Sequence, residues 1–224
     1  GFMDQNVILV ETVPLEFDLE ALGCRLRIRP GQTKFMDRLS RLAEEAARVA
    51  RPKAVARLCG LTILDEEKVQ VGEVTFSSPL LRQKMDGLGR AFPYLASEGT
   101  ELADWSLSLS SSLEQVFASA LREVAVQQAE NLLERTLLER YGIAQVSAMN
   151  PGSLKVWSLE EQVPLFELLA PLPEKLGVTL LPSLMMRPEY SVSGVFFQTD
   201  SKFYNCQLCP KKECPNRRTP SLVT

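Results

Sequence analysis

Histidine does not occur in these 224 residues. Its absence excludes a Ser-His-Asp triad, a Cys–His nucleophile pair and any histidine-ligated zinc or iron. Proton transfer near neutral pH would fall to a carboxylate, thiol or lysine with a shifted pKa. No nucleophile–base arrangement stands out, and no catalytic residue is assigned. A strong charge of one sign is lacking too. The net charge of −3 gives no global basic field for nucleic acid. No apolar run approaches the length of a membrane-spanning helix, so no membrane partner is expected. No basic-then-apolar leader opens the sequence, and the expectation is a cytoplasmic protein. Five cysteines is an odd number, which fits reduced thiols or a metal site better than a disulfide framework.

What is present is ordinary for a folded chain: 45% hydrophobic and 24% charged residues. The length suits one large domain or two small ones. The reading adopted is one α+β domain over residues 1–204, followed by a cysteine-containing tail over 205–224. Val7 to Val13 reads as a short strand. Pro30-Gly31 breaks the chain before Thr33, the expected N-cap of a helix to Ala50 with Phe35, Leu39, Leu42, Ala46 and Val49 on one face. Lys53 to Leu64 and Val69 to Phe76 are β-rich and separated by Asp65-Glu66-Glu67. Ser77-Ser78-Pro79 marks a cap for a short helix through Leu88, and Ala91 to Ala96 a strand. After the break at Ser110 to Ser112, an apolar stripe predicts a helix from Leu113 to Arg140, stopped by Gly142. Its plain reading is a core helix lying across a sheet. Met149 to Ser153 reads as a loop, Leu159 to Leu169 as a helix and Val192 to Gln198 as a strand.

Three cysteines cluster near the end as Cys206-x₂-Cys209-x₄-Cys214. A two-residue gap lets two thiolates grip one metal from a tight turn, and proline follows both Cys209 and Cys214. An iron–sulfur cluster, a zinc ion and a metal-free set of reduced thiols all fit this spacing. A fourth ligand would be Cys59, Cys24, an oxygen ligand or a partner's residue. Lys202, Lys211, Lys212, Arg217 and Arg218 would favour thiolates or dock an acidic partner; such charges are also common on solvated surface. Upstream, Ser191-Val192-Ser193-Gly194 opens a strand with little bulk, which permits close approach of a ligand to the backbone.

Met186-x-Pro188, then Ser191-Val192-Ser193-Gly194, then Ser201-Lys202-Phe203-Tyr204 together resemble the activation (reactivation) domain of cobalamin-dependent methionine synthase. Gly142-Ile143 ahead of Pro151-Gly152, the helix from Glu160 to Leu169, Gly177-Val178-x-Leu180 and the Ala129-Glu130 pair agree in order. The likeness runs from Thr100 to Tyr204, and the first hundred residues agree only in pattern. It implies an α+β fold with a twisted antiparallel sheet and flanking helices. It also implies S-adenosylmethionine in a shallow groove, and remethylation of a cobalamin after one-electron reduction. The groove would be lined by Glu130, Asn150, Pro151, Gly152, Ser193, Phe203 and Tyr204. Glu130 would hold the ligand's amino group, or else is a solvated helix glutamate.

The departures are specific. Where that family has Arg-Pro-Ala-Pro-Gly-Tyr, this chain has Ala148 to Ser153. The turn is kept, while the arginine that would pair a carboxylate and the tyrosine are not. Phe203 keeps a ring and loses a hydroxyl. The expected role is that of an accessory chain acting on a separate corrinoid protein or core methionine synthase, with an electron-donor protein as a further partner. The other reading is a binding module for a corrinoid protein or S-adenosylmethionine, with a zinc-bound or metal-free tail.

Overall fold

The computed structural model describes residues 5–153 and 156–200. An eight-stranded antiparallel sheet forms its centre. Strand β6 (Arg90–Ser97) is the spine, buried at seven of its eight positions. One edge of β6 pairs with β2 (Lys53–Arg57) and then with β3 (Cys59–Ile63), in one continuous register interrupted at Leu58. The other edge pairs with β10 (Ser191–Gln198), which carries β7 (Val146–Met149) on its far side. Strand β1 (Val7–Val10) flanks β2, and β4 (Lys68–Val71) with β5 (Val74–Ser77) extend from β3. A small hairpin of β8 (Thr179–Leu180) and β9 (Met186–Arg187) stands apart.

Alternation along the strands sorts the side chains into two layers. Val55, Leu95, Val195, Phe197 and Met149 face a core shared with α3 (Pro79–Lys84), α6 (Gln162–Leu169) and α7 (Leu172–Lys175). Ala54, Ala56, Phe92, Tyr94, Ala96 and Phe196 face the long helix α5 (Ser112–Tyr141). A third core joins α5 to α1 (Leu19–Arg25), α2 (Thr33–Val49) and α4 (Thr100–Leu107).

Helix α5 serves two of these cores because of its spacing. Phe117, Leu121, Ala125, Ala129, Leu133 and Leu137 are buried at steps of four. At 3.6 residues per turn each such step advances the stripe by about 40°. The stripe therefore winds round the helix. Phe117, Leu121 and Ala125 meet α2 and α4, while Ala129, Leu133 and Leu137 meet the sheet. Ser111 caps the start, its side chain accepting from the Glu114 N–H, and Gly142 closes the end in the left-handed conformation at φ 62°.

The expected fold class is the observed one, with local differences. Thr33 is the first helical residue rather than the cap; Gln32 stands at the cap and spends its side-chain oxygen on the Arg29 N–H. The helix after Ser78 stops at Lys84, short of Leu88, because Met85 closes it through the Leu81 carbonyl. Met149 belongs to β7 rather than to the loop. Helix α1 and strand β7 were not expected from the sequence.

Candidate functional site

The polar cluster of interest forms where β6, β7 and β10 meet α5 and α6. Tyr94 points from β6 toward α5 and is wholly buried. Its ring stacks on Phe196 of β10, with centroids 3.9 Å apart and planes 16° from parallel. Its hydroxyl donates to Glu130 Oε2 at 2.9 Å. Asn150, just past β7, gives one amide hydrogen to the same hydroxyl and the other to the Ser193 carbonyl, each at 2.8 Å. Ser193 Oγ in turn donates to Gln162 Oε1 at 2.6 Å, and both residues are buried. A polar chain thus runs Glu130–Tyr94–Asn150–Ser193–Gln162, from one helical layer to the other.

Gly194 makes this arrangement possible. A Cβ there would stand 2.5 Å from Asn150 Nδ2 and would also collide with the Met149 carbonyl. Only glycine leaves room for the asparagine amide. The turn that follows is braced internally. Ser153 gives its N–H and its hydroxyl to the Asn150 carbonyl, and the Gly152 N–H bonds the Trp157 carbonyl at 2.8 Å.

A second charged cluster fixes the entry to β10. Glu98, fully buried, receives Arg122 Nε at 2.7 Å and Nη2 at 2.9 Å. It also receives the Tyr190 N–H at 2.9 Å, while the Tyr190 ring lies 4.6 Å from the Arg122 guanidinium carbon. Burial pushes the Glu98 carboxyl above its ordinary value, and the opposing pull of Arg122 is the smaller effect. Beside it, Ser191 Oγ and Ser97 Oγ are 2.9 Å apart.

Of the residues singled out from sequence, Glu130, Asn150 and Ser193 come together through Tyr94. Pro151 is buried in the adjoining turn and Gly152 is exposed at its tip. Phe203, Tyr204, Cys206, Cys209 and Cys214 lie outside the described residues. Cys59 is buried in the core beside Val71 and Leu168, while Cys24 is exposed on α1. No cluster of three or more metal-binding side chains occurs among the described residues. Tyr94, Gln162, Glu98 and Arg122 were missed. Their partners lie between 24 and 92 positions away, beyond what local spacing reports.

Fold and cluster together define an α+β domain with an antiparallel sheet between helical layers and a polar chain threaded through β10. A crystal structure of the MetH reactivation domain bound to AdoHcy is similar to it, with a TM-score of 0.59 and 17% sequence identity over 88% of this chain and 80% of that one. At this identity the likeness is one of fold. No family model and no curated protein matches the chain. No helix among the described residues is long and apolar enough to cross a membrane.

Proposed function

We propose that this chain is an accessory module for reductive reactivation and remethylation of a corrinoid carried by a separate methionine synthase or corrinoid methyltransferase. The observation that carries this reading is the fold likeness to the MetH reactivation domain across most of both chains. The Glu130–Tyr94–Asn150 cluster beside the 150–153 turn supports it, because it holds residues implied by the resemblance in one place.

The turn does not supply a full clamp for S-adenosylmethionine. Both Asn150 amide hydrogens are committed to Tyr94 and Ser193, and Ala148 stands where the carboxylate-pairing arginine would be. Glu130, whose charge would suit an ammonium, already accepts from the Tyr94 hydroxyl. No methyl-transfer step is therefore assigned to this turn. In this reading the module acts by binding the corrinoid partner, and the thiols of Cys206, Cys209 and Cys214 hold an iron–sulfur cluster or zinc, or dock an electron donor. The second reading, a binding module without redox chemistry, is favoured by how completely the cluster side chains are turned on one another.

The test is to mix the chain with an inactive cob(II)alamin protein, with and without reductant and S-adenosylmethionine, and to follow the cobalt absorption bands. An accelerated change that needs the chain supports the accessory role. No change under any combination sinks it. Iron, zinc and sulfide analysis of anaerobically purified protein separates a redox tail from a structural one.

A further inference from the structure

A groove of about 540 Å³ opens at the far end of β6 and β10, lined by Gly87, Leu88, Gly89, Arg90, Gln198, Thr199 and Asp200. It is distinct from the Tyr94 cluster, which lies further along the same two strands. Arg90 is the central feature. Its guanidinium carbon sits 5.6 Å from the ring centres of both Phe92 and Tyr141, and those rings pack 5.1 Å apart at 42°. Cation–π contact with two rings holds the guanidinium in place while leaving its N–H edge free to recognise something else. Among the described residues, no acceptor takes a hydrogen bond from that edge and no carboxylate pairs with it. Beside it, the Tyr141 hydroxyl is shut from solvent with no hydrogen-bond partner among the described residues.

Asp200 brings the opposite charge to the same groove. It is exposed and forms no ion pair with Arg90. A cation and an anion that share a groove without neutralising each other suit a ligand carrying both charges. Gln198 and Thr199 add an amide and a hydroxyl between them. Gly87 and Gly89 leave their part of the lining bare, since a Cβ at either would meet nothing within 4 Å. The volume falls within the range of small-molecule sites. A phosphate or simple anion would use Arg90 and be repelled by Asp200.

We propose that this groove binds a free α-amino acid. Its α-carboxylate would pair with the Arg90 fork, its α-ammonium with Asp200, and an apolar side chain would lie along Leu88 and the two glycines. This does not depend on the accessory role.

The test is calorimetric titration of the full chain with L-methionine and L-leucine, then with N-acetyl-L-methionine and L-methioninamide, which each lack one of the two charges. Saturable binding of at least one free amino acid is expected, weakened about tenfold or more in each derivative. Arg90→Lys keeps the charge and loses the fork, and should weaken binding by a similar factor at unchanged melting temperature. Asp200→Asn, at an exposed position, should weaken L-methionine and leave N-acetyl-L-methionine unaffected. If Arg90→Lys does not fold, Asp200→Asn and the derivatives still decide. No binding of either amino acid at millimolar concentration overturns the proposal, as does affinity unchanged in the folded variants.

Discussion

Arg122 grips both carboxylate oxygens of Glu98 from the side of α5, and the carboxylate is wholly closed from water. A paired charge of this kind adds little over an apolar pair, but removing one partner strands the other. Arg122→Met is therefore expected to cost about 3–5 kcal/mol of folding stability. Urea denaturation measures it. A loss below about 1 kcal/mol would mean that water or another cation reaches Glu98.

The same carboxyl sets a pH dependence. Its pKa is raised in the folded state, chiefly by burial. The folded chain thus holds this proton more firmly than the unfolded chain, and the gain is full below the unfolded value. That gain is lost as pH rises through the folded value. Stability should decline across the interval just above the ordinary glutamate range, and Glu98→Gln should flatten that slope whatever its offset. Asp65 works in the opposite sense. The Glu67 N–H, and then that of Lys68, hold its carboxyl below its ordinary value. Its contribution is present above the unfolded value and fades as pH falls through the depressed one. Asp65→Asn should remove that acid-side loss in the same denaturation series.

Gly194→Ala tests the close approach of β10 to Asn150. The added methyl meets the Met149 carbonyl, Asn150 Nδ2 and, at 3.0 Å, the Tyr94 ring. Overpacking of this kind costs about 1–3 kcal/mol. Asn150→Ala in the same chain should recover only part of it, because the Met149 carbonyl is backbone and stays. Thermal melts of the single and double variants read the difference.

Tyr94→Phe removes the hydroxyl between Glu130 and Asn150 and keeps the ring on Phe196. The expected loss is about 1–3 kcal/mol, since one partner is charged and the other is left with an unspent donor. A double-mutant cycle with Glu130→Gln should return a coupling of at least about 0.5 kcal/mol. Strict additivity would show that the two side chains do not act together.

The parts of the fold legible in the sequence were those with long periods or strong punctuation. Helix α2 showed its face through Leu39, Leu42 and Ala46, and α5 through a run ended by Gly142. Helix α1 was hidden because it is seven residues long and contains Gly23. Its one clear signal was Asp18, whose side chain accepts from the Ala21 N–H. Strand β7 is four residues of mixed character, and β10 makes it a strand. Within the candidate site, Asn150 and Ser193 could be named from the resemblance. Tyr94 sat inside a correctly read strand, but its role rests on α5 and β7, which no local pattern connects to it.

The placement of β10 against β6 also bears on how the chain reaches its native state. Ser97 pairs with Ser191 and Phe92 with Phe196, so most of one edge of the central strand waits about a hundred residues for its neighbour. During synthesis the backbone N–H and C=O groups of that edge have no native partner until β10 leaves the ribosome. Unpaired strand edges are templates for association with other chains. Closing so large a loop also makes this pairing among the slower steps of folding. A chain truncated ahead of Ser191 would keep its helices and most of its strands, yet would present that edge permanently and be prone to aggregate.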